Sequence, residues 1–152
     1  MKVKPGEAFI NEVRIHVMRV IVETGRVPRA AETASALGRT PDEVDAAHRF
    51  LAEGHIFVLE PGTSELRMAN PFSAIPTPFE TQVGERKWWG NCIWDAMGIG
   101  AALHAEARIS SRCPDCGDSL SLTVNGPAVS GDSGIVHFAV PAAQWWNDII
   151  YT

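Results

Sequence analysis

The sequence predicts an α+β fold, in which an N-terminal three-helix, winged-helix-like module precedes a small mixed or antiparallel sheet with one packed helix. Apolar side chains first recur at three- and four-residue spacing, which is typical of amphipathic helices. Short runs rich in β-branched and aromatic residues then alternate with turn residues, which is typical of strands. A proline-containing segment over residues 70–78 predicts a linker, so we divide the chain into units 1–75 and 76–152.

The first unit contains three predicted helices. The first covers residues 7–23 and the second residues 30–37, and each is closed by a glycine. The third begins after Thr40, which is the expected N-cap, with Pro41 in the first helical position and Glu43 completing a capping box. Two strands around a turn follow at residues 55–59 and 65–68, and they complete the winged-helix order.

This order invites a DNA-binding hypothesis, which the charge pattern disfavours. The helix that would enter the major groove begins with Asp42, Glu43 and Asp45. The whole chain has a net charge of −5, and acidic residues slightly outnumber basic ones in residues 1–75. We therefore expect a helical module that packs on the second unit, and no nucleic-acid partner.

The sequence also indicates a cytoplasmic protein. It has no run of the roughly 18 apolar residues that a membrane span requires. Lys2, Lys4 and Glu7 stand where a signal peptide would have its apolar core. A reducing compartment keeps cysteines as thiols unless they are catalytic or bind metal, and the three cysteines of this chain cannot all pair with one another.

The second unit is predicted to contain a helix over residues 89–104, followed by strands at 105–111, 120–124 and 135–140. A last strand is expected to begin at Ile149 and to be cut short at Thr152.

Cys92 and Asp95 are the first candidates for chemistry. On a helix they share one face, and a cysteine in the first turn is favoured as a thiolate by unpaired N–H groups and the helix dipole. A thiolate is a ligand for mercury, copper(I) or zinc, and a carboxyl group can deliver a proton. Trp88, Trp89 and Trp94 predict apolar surroundings. The alternative is a buried cysteine that packs beside a helix-capping aspartate.

Cys113 and Cys116 form a Cys-x-x-Cys turn, which supplies half of a zinc site. Together with Cys92 they make a candidate set of soft-metal ligands. Two alternatives stay open: a pair of reduced cysteines in a tight turn, and a redox-active dithiol, for which no thioredoxin-like βαβ pattern is present.

The chain resembles the organomercurial (alkylmercury) lyases. The specific part is the segment Cys92-Ile93-Trp94-Asp95-Ala96, followed about twenty residues later by Ser110-Ser111-Arg112-Cys113. The resemblance also covers residues 25–38 and 120–124, and so extends over most of the chain.

This resemblance implies a lyase of carbon–mercury bonds that requires no cofactor and takes mercury as part of its substrate. The residue matched by Cys92 attacks mercury, a second cysteine joins it, and the residue matched by Asp95 takes part in protonating the leaving carbon. The residue matched by Cys113 is structural in that family, and Cys116 has no counterpart.

The second catalytic cysteine of the family would follow Thr152, where this sequence ends. We therefore expect a C-terminally incomplete chain, with a cysteine or a selenocysteine encoded beyond that residue. As written, the chain would need Cys116 or an external thiol in its place. The alternative function is a non-enzymatic, soft-metal thiolate-binding or metal-responsive module for mercury, zinc or copper, and a different substrate on the same fold is also open.

Overall fold

The computed structural model describes residues 5–150. Three helices come first, as the spacing predicts, and a fourth lies between strands of the sheet. The helices are α1 (Glu7–Thr24), α2 (Ala30–Leu37), α3 (Pro41–Glu53) and α4 (Ile93–Ala102). The strands are β1 (Phe57–Leu59), β2 (Leu66–Ala69), β3 (Phe72–Ser73), β4 (Glu80–Val83), β5 (Arg86–Gly90), β6 (Ala107–Arg112), β7 (Ser119–Asn125) and β8 (Ala128–Gly131). A short 3₁₀ helix covers Ala142–Asn147.

Local signals set the bounds of the first three helices. The capping box predicted for α3 is present: the Thr40 hydroxyl accepts a hydrogen bond from the N–H of Glu43 at 3.3 Å, and the Glu43 carboxylate accepts one from the N–H of Thr40 at 2.9 Å. Helix α1 ends at Gly25, whose φ of 76° is in the left-handed region. A Cβ atom on Gly25 would lie 2.7 Å from the carbonyl oxygen of Lys87, so glycine lets α1 end directly against β5.

Within residues 5–150 the strands form a single eight-stranded sheet, in the order β1-β2-β3-β5-β4-β6-β7-β8. Every pairing in it is antiparallel, so the sheet is not mixed. The observed architecture is α+β, as the sequence predicts. The sheet contains strands from both sides of residue 75, and the division into two units at that point stays a prediction.

The predicted linker over residues 70–78 is wrong in its first half, because Phe72 and Ser73 form β3. They pair with β2 on one side and β5 on the other. Phe72 is 2% exposed and its ring lies 6.4 Å from that of Trp88. Burial of an aromatic side chain thus outweighs the local signal from the prolines.

The predicted helix over residues 89–104 begins four residues too early. Trp88 and Trp89 belong to β5, where they pair with Thr81 and Glu80 of β4. The indole N–H of Trp88 donates to the carbonyl of Ile21 at 2.8 Å, in the interior of the protein. This bond ties the sheet to α1, so the strand conformation is stabilised by contacts far away in sequence.

The C-terminal part differs most from expectation. Residues 135–140 form no strand, and β8, which was not predicted, covers the edge of β7 instead. Ile135 is 94% exposed. Residues 149–150 lie in a turn, and the rest of the strand expected there, up to Thr152, lies outside the described residues.

The 3₁₀ helix returns to the N-terminal helices. The ring of Trp146 stacks on His55, which follows α3, with centroids 3.9 Å apart and planes at 4°. Within residues 5–150, no helix combines the length and the apolar character that crossing a membrane requires.

Candidate functional site

Cys92 and Asp95 lie at the junction of β5 and α4. Cys92 is the N-cap of α4, with extended backbone angles (φ −145°, ψ 179°), and not a residue of the first turn as expected. Asp95 lies in the first turn. Both side chains are partly buried. The three-residue spacing therefore brings the thiol and the carboxyl to the same end of the helix.

Close backbone contacts hold this junction. A Cβ atom on Gly90 would lie 2.6 Å from the backbone nitrogen of Ala96, so no larger residue fits between β5 and α4. The hydroxyl of Thr77 donates to the carbonyl of Gly90 at 2.5 Å. The buried hydroxyl of Thr81, on β4, donates to the carbonyl of Ala96 at 2.9 Å. The start of α4 is thus fixed from two sides.

The rest of α4 packs on the sheet through small residues. A Cβ atom on Gly100 would lie 2.6 Å from the Cβ of Ala107 on β6. Ala96 packs with Ile109 and Val124 in a buried cluster. Helix α4 therefore lies close against β6 and β7, which gives the residues at its N-terminus a rigid support.

The Cys92 thiol and the Asp95 carboxyl each influence the pKa of the other. Burial raises the pKa of Cys92, and the negative carboxylate of Asp95 raises it further. The backbone N–H groups of Asp95 and Trp94 oppose this effect without forming a capping hydrogen bond to the sulfur. The expectation that the helix N-terminus favours a thiolate is therefore wrong for the free protein, because burial outweighs the dipole.

Burial also raises the pKa of Asp95. Asn91 acts in the opposite direction, because its side-chain amide donates to the Asp95 carboxylate at 3.0 Å. The other end of that amide, the Oδ1 atom of Asn91, is buried and has no hydrogen-bond partner. The site therefore contains a thiol, a carboxyl and an amide, with one acceptor free.

The three tryptophans predicted around Cys92 do not form a common pocket. Trp88 points into the core and contacts α1 through its indole N–H. Trp94 is 60% exposed on the surface of α4. The strand conformation of β5 sends Trp88 and Trp89 to opposite faces of the sheet, so they cannot line one pocket.

Cys113 and Cys116 lie in the tight turn between β6 and β7. The N–H of Cys113 donates to the carbonyl of Asp118 at 2.8 Å, and the N–H of Gly117 donates to the carbonyl of Cys113 at 2.9 Å. The N–H groups of Cys116 and Asp115, with a smaller contribution from the Cys116 thiol, lower the pKa of Cys113 by hydrogen bonding to its sulfur. All three cysteines of the chain are free thiols.

The structure does not bring Cys92, Cys113 and Cys116 together as one metal centre. In the part of the chain that the structure describes, no group of three or more His, Cys, Asp or Glu side chains is placed to hold a metal ion. A four-ligand zinc site at the Cys-x-x-Cys turn therefore has no support from the arrangement of residues 5–150.

Sequence reasoning missed Asn91 and Thr77. Asn91 lies four residues before Asp95, a spacing at which an amide and a carboxylate can meet, and this signal was available. Thr77 carries no comparable signal, because its partner, the carbonyl of Gly90, is reached only through the pairing of β4 with β5.

Comparison with known proteins agrees with this architecture. A crystal structure of the mercury-bound form of MerB2 has the same fold, with a TM-score of 0.60 and 21% sequence identity. The match covers 84% of this chain and 60% of the other, so this chain spans well under the full length of that protein. No curated protein matches the sequence.

The region that contains α4 and both cysteine segments also matches a known protein family. Residues 72–152, more than half of the chain, match the MerB family, described as alkylmercury lyase. This region begins with β3 and includes Cys92, Asp95, Cys113 and Cys116. The chain belongs to the alkylmercury lyase family.

Proposed function

We propose that this protein cleaves carbon–mercury bonds, with Cys92 as the nucleophile that binds mercury and Asp95 as the proton donor to the leaving carbon. The observation that carries the proposal is the placement of a partly buried thiol at the N-cap of α4 and a partly buried carboxyl in its first turn. Membership in the alkylmercury lyase family supports it.

The pair suits the first step because it can move a proton internally. As the sulfur of Cys92 binds mercury, its proton passes to the carboxylate of Asp95. Burial raises the pKa of both groups, so the pair holds one proton more firmly than either group would in water. The soft thiolate that forms has a high affinity for mercury.

The second step uses the proton that Asp95 has accepted. The electron pair of the carbon–mercury bond takes this proton, and the organic group leaves as a hydrocarbon. Mercury stays in its +2 state, bound to the Cys92 sulfur and to the ligand that it brought. One S–H and one C–Hg bond are broken, and one C–H and one S–Hg bond are formed, so no oxidant or reductant is required.

Release of mercury requires a second thiol. Among the described residues, neither Cys113 nor Cys116 joins Cys92 in a metal-holding cluster. We therefore assign this role to an external thiol, which displaces Cys92 from mercury and returns a proton to its sulfur. The other hypothesis, a soft-metal module in which the three cysteines act together, lacks such a cluster in residues 5–150.

The direct test is the release of benzene from phenylmercury in the presence of excess glutathione, followed by gas chromatography. We expect turnover by the wild type and none by Cys92→Ser. Glu12→Gln, an exposed substitution on α1, should retain the wild-type rate. Benzene release by Cys92→Ser at the wild-type rate, or no release by the folded wild type, would overturn the proposal.

A further inference from the structure

The turn between β6 and β7 is built around two thiols that the proposed reaction does not use. Its backbone is fixed by the hydrogen bonds of Cys113 with Asp118 and Gly117, at 2.8 Å and 2.9 Å. The guanidinium of Arg112 donates to the carbonyl of Gly117 at 3.0 Å. Gly117 has a φ of 78°, which lets the chain reverse directly after the second cysteine.

Within this turn Cys113 and Cys116 are three residues apart, and the hydrogen bond from the N–H of Gly117 to the carbonyl of Cys113 encloses both of them. Hydrogen bonding from the N–H groups of Cys116 and Asp115, and from the Cys116 thiol, lowers the pKa of Cys113. Convergent backbone N–H groups favour negative charge on a sulfur atom, as thiolate ligation of a metal requires. Cys116 is exposed, so an ion can reach the pair from solvent.

The number of ligands decides which metal fits. Zinc takes four protein ligands in structural sites, and the described residues offer no third side chain at this turn. Mercury(II) is satisfied by two thiolates in a linear arrangement, and soft thiolates are its preferred ligands. Two sulfurs on a three-residue spacing therefore match mercury(II) and fall short of zinc.

We propose that Cys113 and Cys116 form a two-coordinate mercury(II) site, separate from the Cys92 and Asp95 pair. The inference rests on the proposed function only for the source of the ion, since inorganic mercury(II) is the product of carbon–mercury cleavage. On binding, two S–H bonds lose their protons to water and two S–Hg bonds form. Two ligands leave mercury, whose oxidation state does not change.

The experiment uses the full chain with Cys92→Ser as background, so that the first site is removed. Reduced protein is mixed with mercury(II) chloride and competing glutathione, and bound metal is read by native mass spectrometry. We expect one mercury per single chain. Adding Cys116→Ser should weaken binding by about 100-fold, because a tethered second sulfur acts at an effective concentration of mM or more. Adding Ser110→Ala, an exposed change on β6, should leave binding unchanged.

Three outcomes would overturn the inference: no mercury retained by Cys92→Ser under competition, equal affinity after Cys116→Ser or Cys113→Ser, or one metal bridging two chains. None of them depends on cleavage, because the background variant lacks the nucleophile. If the wild type fails to release benzene while Cys92→Ser binds mercury(II), the proposed function fails and the dithiolate site stands.

Discussion

The side-chain amide of Asn91 donates to the carboxylate of Asp95 at 3.0 Å, across one turn at the start of α4. This contact lowers the pKa of Asp95, against the effect of burial, which raises it. Asn91 therefore acts through Asp95 as a positioning residue. It orients the Asp95 carboxyl, and it sets how readily that carboxyl accepts the proton of Cys92.

Replacing Asn91 with alanine should shift the pH dependence of cleavage. Loss of the amide raises the pKa of Asp95, so the ionised carboxylate that accepts the thiol proton forms only at higher pH. The acid limb of the kcat/KM profile should move to higher pH, and kcat should fall about 10-fold, the equivalent of ~1.4 kcal/mol for one hydrogen bond to a charged group.

A matched control exists on β7, where the amide of Asn125 donates to the carboxylate of Glu106 at 3.1 Å on the surface. Asn125→Ala removes the same kind of contact away from Cys92. It should leave the acid limb in place, and an equal shift in both variants would contradict the role given to Asn91.

Asp95→Asn should separate the two roles of the carboxyl. The amide cannot supply the proton to carbon, so kcat should fall by about 10²- to 10⁴-fold, the usual contribution of a general acid. The charge and hydrogen bonding of Asp95 raise the pKa of Cys92, so their removal should lower it. Alkylation of Cys92 by iodoacetamide, followed across pH, should therefore begin at lower pH than in the wild type.

A merely structural role for Asp95 would reduce cleavage without moving the alkylation profile toward acid. Iodoacetamide also reacts with Cys113 and Cys116, so modification is assigned to individual cysteines by peptide mass spectrometry. Glu12→Gln removes a surface carboxylate in the same chemical way and should shift neither readout.

Gly90→Ala should destabilise the β5–α4 junction. The added Cβ would lie 2.6 Å from the backbone nitrogen of Ala96 and 3.1 Å from the carbonyl of Cys92, and neither backbone group can move freely. We expect a loss of about 2 kcal/mol in the free energy of unfolding, measured by urea denaturation, which is typical of overpacking. Gly134→Ala has no atom within 4 Å and should be neutral. Equal stability of the two variants would contradict the close packing at Gly90.

His48 should make stability depend on pH. Its ring is fully buried on α3, with Nδ1 at 2.9 Å from the carbonyl of Ser64 and with Nε2 buried and without a hydrogen-bond partner. The Phe57 ring lies perpendicular to it, with the centroids 5.7 Å apart. Burial lowers its pKa, although Ser64 and the nearby carboxylates of Asp45 and Glu65 oppose this. A lowered pKa means that the unfolded chain binds the proton more readily.

The neutral form of His48 therefore contributes its full stability above the unfolded pKa of about 6.5, and this contribution is lost as pH falls through the lower folded value. The free energy of unfolding should drop as pH decreases below about 6.5, as judged from urea midpoints. His48→Asn keeps a donor toward Ser64 and cannot titrate, so its slope over this range should be smaller. An unchanged slope would show that other groups cause the effect.

Much of the architecture follows from local sequence signals. The bounds of α2, the capping box of α3 at Thr40 and the strands around residues 107–112 and 119–125 agree with the patterns that predicted them. The spacing of Cys92 and Asp95 and the family resemblance were also readable from the chain. These features depend on contacts within one turn of helix or on period-two alternation, which neighbouring residues encode.

The sequence alone predicts α1, α2 and the start of α3, together with the α+β class and the family. Tertiary contacts set the start of α4, the strand conformation of Trp88, the inclusion of Phe72 in the sheet and the raised pKa of Cys92. The indole N–H of Trp88 donates to the carbonyl of Ile21, which is 67 residues away in sequence, and Phe72 packs on Trp88. The helix dipole favours a thiolate at Cys92, but burial between packed elements raises its pKa. Hydrogen-bond partners distant in sequence and loss of solvent exist only after the chain has packed, so no local pattern encodes them.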